Sequence, residues 1–152
     1  MQKPYLIEFP KLGATNIGYI SVGEANGLIP FPIERMFWTY FTPESVVRGR
    51  HAHHATEQVL VAVAGRIIVT TEMPDGEVQT FVLESPHVGV YVPPNVWHTM
   101  QYSRTAVQLV FASTRYSEQD YIRQYENFRR VWGQVNPNMV AARTDKLFFY
   151  SP

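Results

Sequence analysis

From position 58 to 113 the chain alternates short apolar runs with turn residues. QVLVAVAG closes at Gly65, and RIIVTTE runs into MPDG. EVQTFVL precedes the break ESPHVG, and VYVPP, VWHTMQY and TAVQLVFAS complete the series. β-branched and aromatic residues dominate these runs and fit a pleated, half-buried surface. Asp75-Gly76 is a hairpin signal, since both residue types tolerate the backbone of a tight turn. The earlier IERMFWTYF reads as one more strand, rich in aromatic residues. Many short strands at this spacing predict an all-β sandwich or barrel of antiparallel strands.

The period changes in YSEQDYIRQYENFRRVWGQ. Ser117 with Asp120 three places on approximates a capping box. Tyr121, Tyr125, Phe128 and Trp132 then recur at helical spacing, and Gly133 with Asn136-Pro137 supplies a stop. The pattern predicts one helix over about 117–132, its aromatic face packed on the sheet. The tail, 137–152, ends in an apolar LFFY and reads as an extra strand or a docking segment. With no internal repeat and no low-complexity linker, 1–152 reads as a single domain.

Composition narrows the classes. The 152 residues are 45% hydrophobic and 17% charged, enough for a packed core. Net charge is zero and no long basic run occurs, which argues against nucleic acid as a partner. There is no cysteine, which excludes disulfides, thiolate metal sites and a cysteine nucleophile. The opening MQKPYLIEFPKLG lacks the apolar run of a signal peptide. No stretch approaches the roughly 18 apolar residues of a membrane span. The expectation is a soluble cytoplasmic protein with no membrane partner.

The candidate chemistry sits in RGRHAHHATEQ, where three of the five histidines fall within four residues. In a strand, alternate side chains share a face, so His51 and His53 point one way and His54 the other. Glu57 shares the first face if the strand continues without a bulge. His98 lies in another predicted strand, and His87 falls in a turn with no assigned role. The pattern H-x-H-x3-E-x7-G, followed by P-x3-H, resembles the two motifs of the cupin superfamily. That resemblance implies a small jelly-roll β-barrel with its site in the lumen. In metal-binding cupins the positions of His51, His53, Glu57 and His98 would be ligands, suited to zinc, iron, nickel or manganese. Glu57 could equally orient a histidine, or be a satisfied polar residue.

A closer resemblance is carried by RGRHAHHATEQVLVAVAG, LESPHVGVYVPPNVWHTM, ASTRYSEQDYIRQYENFRR and the preceding IPFPIERMFWTYF. These resemble the dTDP-sugar 3,4-ketoisomerase family, the WxcM-like or FdtA-like cupins, from about Ile29 to Arg130. General cupins lack the DYIRQY run. The resemblance implies a cupin-fold homodimer acting on dTDP-4-dehydro-6-deoxyglucose without metal or other cofactor, with the family's histidine pair at His51 and His53. Two departures stand out. His54 occupies a place where the family usually has lysine. ATNIGYI keeps only Gly18 of an acidic-x-Arg-Gly turn, at a place where family members differ in product stereochemistry.

The chemistry agrees with that implication. The hydrogen on C3 of a 4-keto sugar is acidified by the neighbouring carbonyl. Its removal gives an enediolate, and return of a proton to C4 gives a dTDP-3-dehydro-6-deoxyhexose. Imidazole, with an ordinary pKa of about 6.5, suits both steps. Arg35 and Arg48 flank the histidine strand and are the candidates for the diphosphate. Tyr91 and Trp97 are candidates to line the lumen, and His98 either joins the site or closes the barrel. Two other classes stay open at this point: a metal-dependent cupin enzyme using His51, His53, Glu57 and His98, and a non-catalytic sugar-binding cupin.

Overall fold

The computed structural model describes residues 1–133. Its strands are β1 (Tyr5–Glu8), β2 (Lys11–Ala14), β3 (Gly18–Ser21), β4 (Arg35–Thr39), β5 (Arg48–His53) and β6 (Gln58–Ala64). They continue with β7 (Ile67–Glu72), β8 (Val78–Leu83), β9 (Val88–Val92), β10 (Trp97–Tyr102), β11 (Val107–Ala112) and the two-residue β12 (Tyr121–Ile122). One α-helix, α1 (Tyr125–Gly133), follows among the described residues. Among the described residues no helix is long and apolar enough to cross a membrane.

The strands form two five-stranded sheets in the orders β1-β9-β6-β11-β4 and β12-β5-β10-β7-β8, with β2-β3 as a separate hairpin. Every strand pairing is antiparallel. The expected all-β, cupin-like architecture is therefore present. Its hydrogen-bond ladders do not close into a barrel, because the two sheets remain separate sets of strands. A face-to-face sandwich buries the same inward residues without a continuous ladder.

Alternation along the strands explains the layers. Leu60, Ala62, Val90, Val92 and Val110 of the first sheet meet Ile67, Val69, Leu83, Met100 and Tyr102 of the second in one buried cluster. The intervening residues Val59, Val61 and Tyr91 point to the opposite face of the first sheet. There they pack with Ile7, Phe9, Ile29 and Phe31 of the N-terminal region. The outer face of the second sheet is covered along β12, β5 and the start of β10 by α1, where Phe128 packs with Ala52, Trp97 and Ile122.

The C-terminal segment departs from the expected helix over 117–132. Glu118–Asp120 form a 3-10 turn, Tyr121 and Ile122 pair with His53 and Ala52, and the α-helix starts only at Tyr125. Ser117 makes no side-chain cap hydrogen bond. The tertiary partners outcompete the local helical signal, because Asp120 spends its carboxylate on the 53–56 segment instead of on a helix start. The expectation for the tail, 137–152, lies outside the described residues.

Candidate active site

β5 and β10 bring the histidines together on the face between the sheets. His51 is the ladder partner of His98, and the register shifts immediately beyond, between His98 and Thr99. The irregularity is built into β5: Gly49 has φ +82° and Arg50 has φ +55°. A side chain at Gly49 would sit 2.7 Å from the His98 carbonyl oxygen, so glycine lets the strands approach where the extra residue is absorbed. His98, Met100 and Tyr102 alternate onto the inner face of β10, and His51 and His53 face them from β5. Ring centroids lie 5.0 Å apart for His51–His53, 4.6 Å for His51–His98 and 6.1 Å for His53–His98. One ring nitrogen from each lies within 4.8 Å of the others.

The hydrogen bonds fix the tautomers. Nδ1 of His51 lies 3.0 Å from the Gly49 carbonyl oxygen, and Nδ1 of His98 lies 3.2 Å from that of Val96. A carbonyl only accepts, so each Nδ1 carries its hydrogen and donates it. His53 Nδ1 donates to Asp120 Oδ2 at 2.9 Å. In the neutral rings the Nε2 lone pairs are left available. His53 Nε2 is buried with no protein partner. Burial is the main force holding all three imidazoles neutral: it lowers the pKa of His51, lowers that of His53 to about 4 and drives that of His98 well down. His51 also opposes protonation of His53, whereas Asp120 favours it.

Asp120 and Tyr121 stand against the histidines and are candidate site residues that strand parity did not identify. Asp120 also accepts from the Ala55 N–H at 2.7 Å and from the Thr56 hydroxyl. Burial pushes its carboxyl up, but the hydrogen bonds from Thr56, Ala55 and His53 outweigh it and hold the pKa below the ordinary value. The Tyr121 ring stands 4.3 Å from the His53 ring centroid and 5.0 Å from that of His51. Arg123 covers the tyrosine at 4.2 Å, held by Glu118, which also accepts from Tyr116. The signal for these residues was the DYIRQY run, which carried the family resemblance but read locally as a helix start.

The other sequence candidates separate by face. Arg35 is close enough for its charge to disfavour the protonated form of His53, and its Nε is buried without a protein partner. Arg48 stands opposite Met100, and its charge reaches Tyr102. Glu57 does not join the histidines. β5 ends at His53 and β6 begins at Gln58, so strand parity does not carry through to Glu57, whose carboxylate acts on the Tyr91 phenol. Tyr91 belongs to the cluster on the opposite face of the first sheet. Trp97 is packed beneath α1 against Tyr125 and Phe128, with centroid distances of 5.2 and 5.4 Å. The expected lumen positions of Tyr91 and Trp97 are corrected by this alternation. The four-ligand set of His51, His53, His98 and Glu57 is likewise not assembled. His54 is exposed on the far side, beside Glu118, Arg123 and Asn127.

The comparisons with known proteins agree with this fold. TDP-4-oxo-6-deoxy-alpha-D-glucose-3,4-oxoisomerase of Aneurinibacillus thermoaerophilus is 41% identical over 133 residues, covering 86% of this chain and 94% of that protein. A 3,4-ketoisomerase from Helicobacter canadensis superposes with a TM-score of 0.81 at 30% identity, covering 88% of this chain and 99% of that one. QdtA from Thermoanaerobacterium thermosaccharolyticum, solved as a histidine-to-asparagine variant with TDP-4-keto-6-deoxyglucose, gives 0.82 at 30% identity, covering 88% of this chain and 96% of that one. The family described as FdtA, WxcM-like, C-terminal, matches residues 2–133, and the chain belongs to that family.

Proposed function

We propose that this chain is a sugar 3,4-ketoisomerase that converts dTDP-4-dehydro-6-deoxyglucose into a dTDP-3-dehydro-6-deoxyhexose, with His51 and His53 as its acid/base pair. The observation that carries the reading is the pair itself. The two rings lie 5.0 Å apart on the inner face, each tied through Nδ1, in a chain of the FdtA family.

Substrate and product are isomers, so the reaction needs no electron acceptor. A neutral imidazole takes the C3 proton, and the C–H electron pair passes into an enediolate over C3 and C4. The proton is returned at C4, and a second proton moves from the C3 oxygen to the C4 oxygen. Two imidazoles on one face divide these transfers between carbon and oxygen. Both rings are held neutral near pH 7, the state a base must start from. Arg35, beside His53, suits the developing negative charge or the diphosphate, and Arg48 lies farther along the same face. His98 completes the polar inner wall. Glu57, Tyr91 and Trp97 support the frame from other faces.

The homodimer and the cytoplasmic location belong to the same proposal. The dimer is supported by the exposed apolar side chains on the outer face of β4. Incubation with dTDP-4-dehydro-6-deoxyglucose in deuterated water, followed by NMR of the sugar ring, tests the function. The expected result is a 3-keto product with solvent deuterium at C3 of residual substrate or at C4 of product. No conversion by folded protein would overturn the reading.

A further inference from the structure

We propose that the C-terminal segment of this chain, residues 134–152, folds back on its own second sheet and covers the outer face of β7 and β8 with its apolar run LFFY at 147–150. The cover does not depend on the ketoisomerase reading, because it involves no residue of the histidine site.

α1 leaves part of that face open. The Tyr125 hydroxyl donates to Glu72 at 2.9 Å, and Arg129 lies 3.8 Å from the same carboxylate, so the helix sits at the Glu72 end of β7. Beyond Glu72 the alternation of the two strands turns Ile68, Thr70, Val78, Thr80 and Val82 outward, while Ile67, Val69, Phe81 and Leu83 face the core between the sheets. Ile68 stands opposite Val82, Thr70 opposite Thr80 and Glu72 opposite Val78. Val78 is 56% and Val82 50% exposed. β8, VQTFVL, carries neither charge nor proline, and it is the last strand of its sheet. An edge strand of this composition is a template for association, and folded proteins guard such edges with a covering loop or helix, or with charge. Here β8 itself supplies no charge, which leaves the cover.

The segment that follows α1 is placed to provide it. Arg129, anchored on β7, stands one helical turn before the end of α1 at Gly133. The residues from 133 to 147 can span up to about 46 Å when extended. β8 from Val78 to Leu83 is only about 17 Å long, so the run at 147–150 can reach any part of it. That run is uncharged and aromatic, the composition that packs on an uncharged β-branched surface. The family match ends at residue 133, so the segment is this chain's addition to the shared fold. Its tether makes the contact intramolecular, at an effective concentration in the millimolar range, so even a weak apolar contact is filled. A second copy of the chain is the rival occupant, but Met36 and Trp38 on β4 offer it larger apolar side chains on the other sheet.

Paired cysteines test the cover in the full chain, which has no cysteine of its own. Val82 is exposed, so replacing it leaves the core intact. Val82→Cys is combined with Phe148→Cys in one variant and with Phe149→Cys in another, because neighbouring side chains of an extended segment point opposite ways. Under mild oxidation one of the two pairs should close a disulfide within a single chain, read by mass spectrometry of the unreduced digest. The same tail cysteines paired with Trp38→Cys should not close within the chain. No intrachain disulfide in either Val82→Cys pair overturns the proposal. Links formed only between two chains, or equal closure on Trp38→Cys, overturn it too. Hydrogen exchange gives an independent reading: Phe148→Asp/Phe149→Asp should speed exchange of the β8 amides about tenfold or more, as an uncovered edge opens more readily. Unchanged β8 exchange in that variant overturns the cover equally.

Discussion

Burial holds His53 neutral against the pull of Asp120, and that balance sets both its chemistry and its cost. His51→Asn and His53→Asn keep approximate size but remove proton transfer near neutral pH. Each should lower turnover about 10²-fold or more, read by NMR rate measurements on folded variants. His54→Asn should leave turnover nearly unchanged, because His54 is exposed outside the inner face. The pH dependence of stability has a definite sign. His53 has a pKa of about 4 in the fold and about 6.5 when unfolded, so between these values the unfolded chain binds more protons. Stability should therefore fall as pH drops from about 6.5 to about 4, by roughly 3 kcal/mol from this residue. Urea unfolding at pH 7 and pH 5 should show a smaller difference for His53→Asn than for the wild type; an equal or larger one would contradict the assignment. Strand alternation made the opposed directions of His53 and His54 legible in the sequence. It could not reach Asp120, which lies 67 residues from His53 and meets it only through tertiary pairing. It misplaced Glu57 because four residues of turn separate β5 from β6.

At the scale of elements, β5 is the part that makes the site. Its ladder with β10 breaks register beside Gly49, and His51 both follows that break and hydrogen-bonds back to the Gly49 carbonyl. Gly49→Ala would place a methyl group against the His98 carbonyl oxygen in a positive-φ conformation. The expected cost is about 1–3 kcal/mol, with a drop in turnover as His51 and His98 are pushed apart. Thermal unfolding together with kinetics checks this, and a variant with wild-type Tm and rate would show that the register break is not needed. The β-runs themselves were legible because β-branched residues, turn residues and alternation all pointed the same way. The first half of the expected helix was not. Ser117 and Asp120 have capping-box spacing, and Tyr121 stands four residues before Tyr125, so local periodicity favoured a helix. What decided the outcome was the free edge of β5, which Tyr121 and Ile122 complete. The aromatic residues Tyr125 and Phe128 do lie on α1 and do face the sheet, so the packing part of the expectation survives in the shorter element.

At the scale of the molecule, the two faces of each sheet carry different work. The inner face gathers His51, His53 and His98 with Arg35 and Arg48 in a chain of zero net charge, so attraction for a diphosphate must be local. Affinity for dTDP should weaken with salt and fall in Arg35→Ala or Arg48→Ala, as calorimetric titration would show. Unchanged affinity in both variants would remove these residues from the binding site. The outer face of β4 presents Met36 at 58% and Trp38 at 63% exposure. They stand beside Phe111 and Leu109 of β11, so the apolar surface continues across two strands. An edge strand with large exposed apolar side chains favours association, because covering them removes apolar surface from water at about 25 cal/mol per Å². A second copy of the chain fits the homodimer proposal. Sedimentation should give twice the 17.5 kDa chain mass at micromolar concentration. Trp38→Glu should shift the protein to the monomer, because a charge at that position would be buried without a partner in the dimer yet remain solvated in the single chain. A monomeric wild type would refute the dimer, and a dimeric Trp38→Glu variant would move the interface off the outer face of β4.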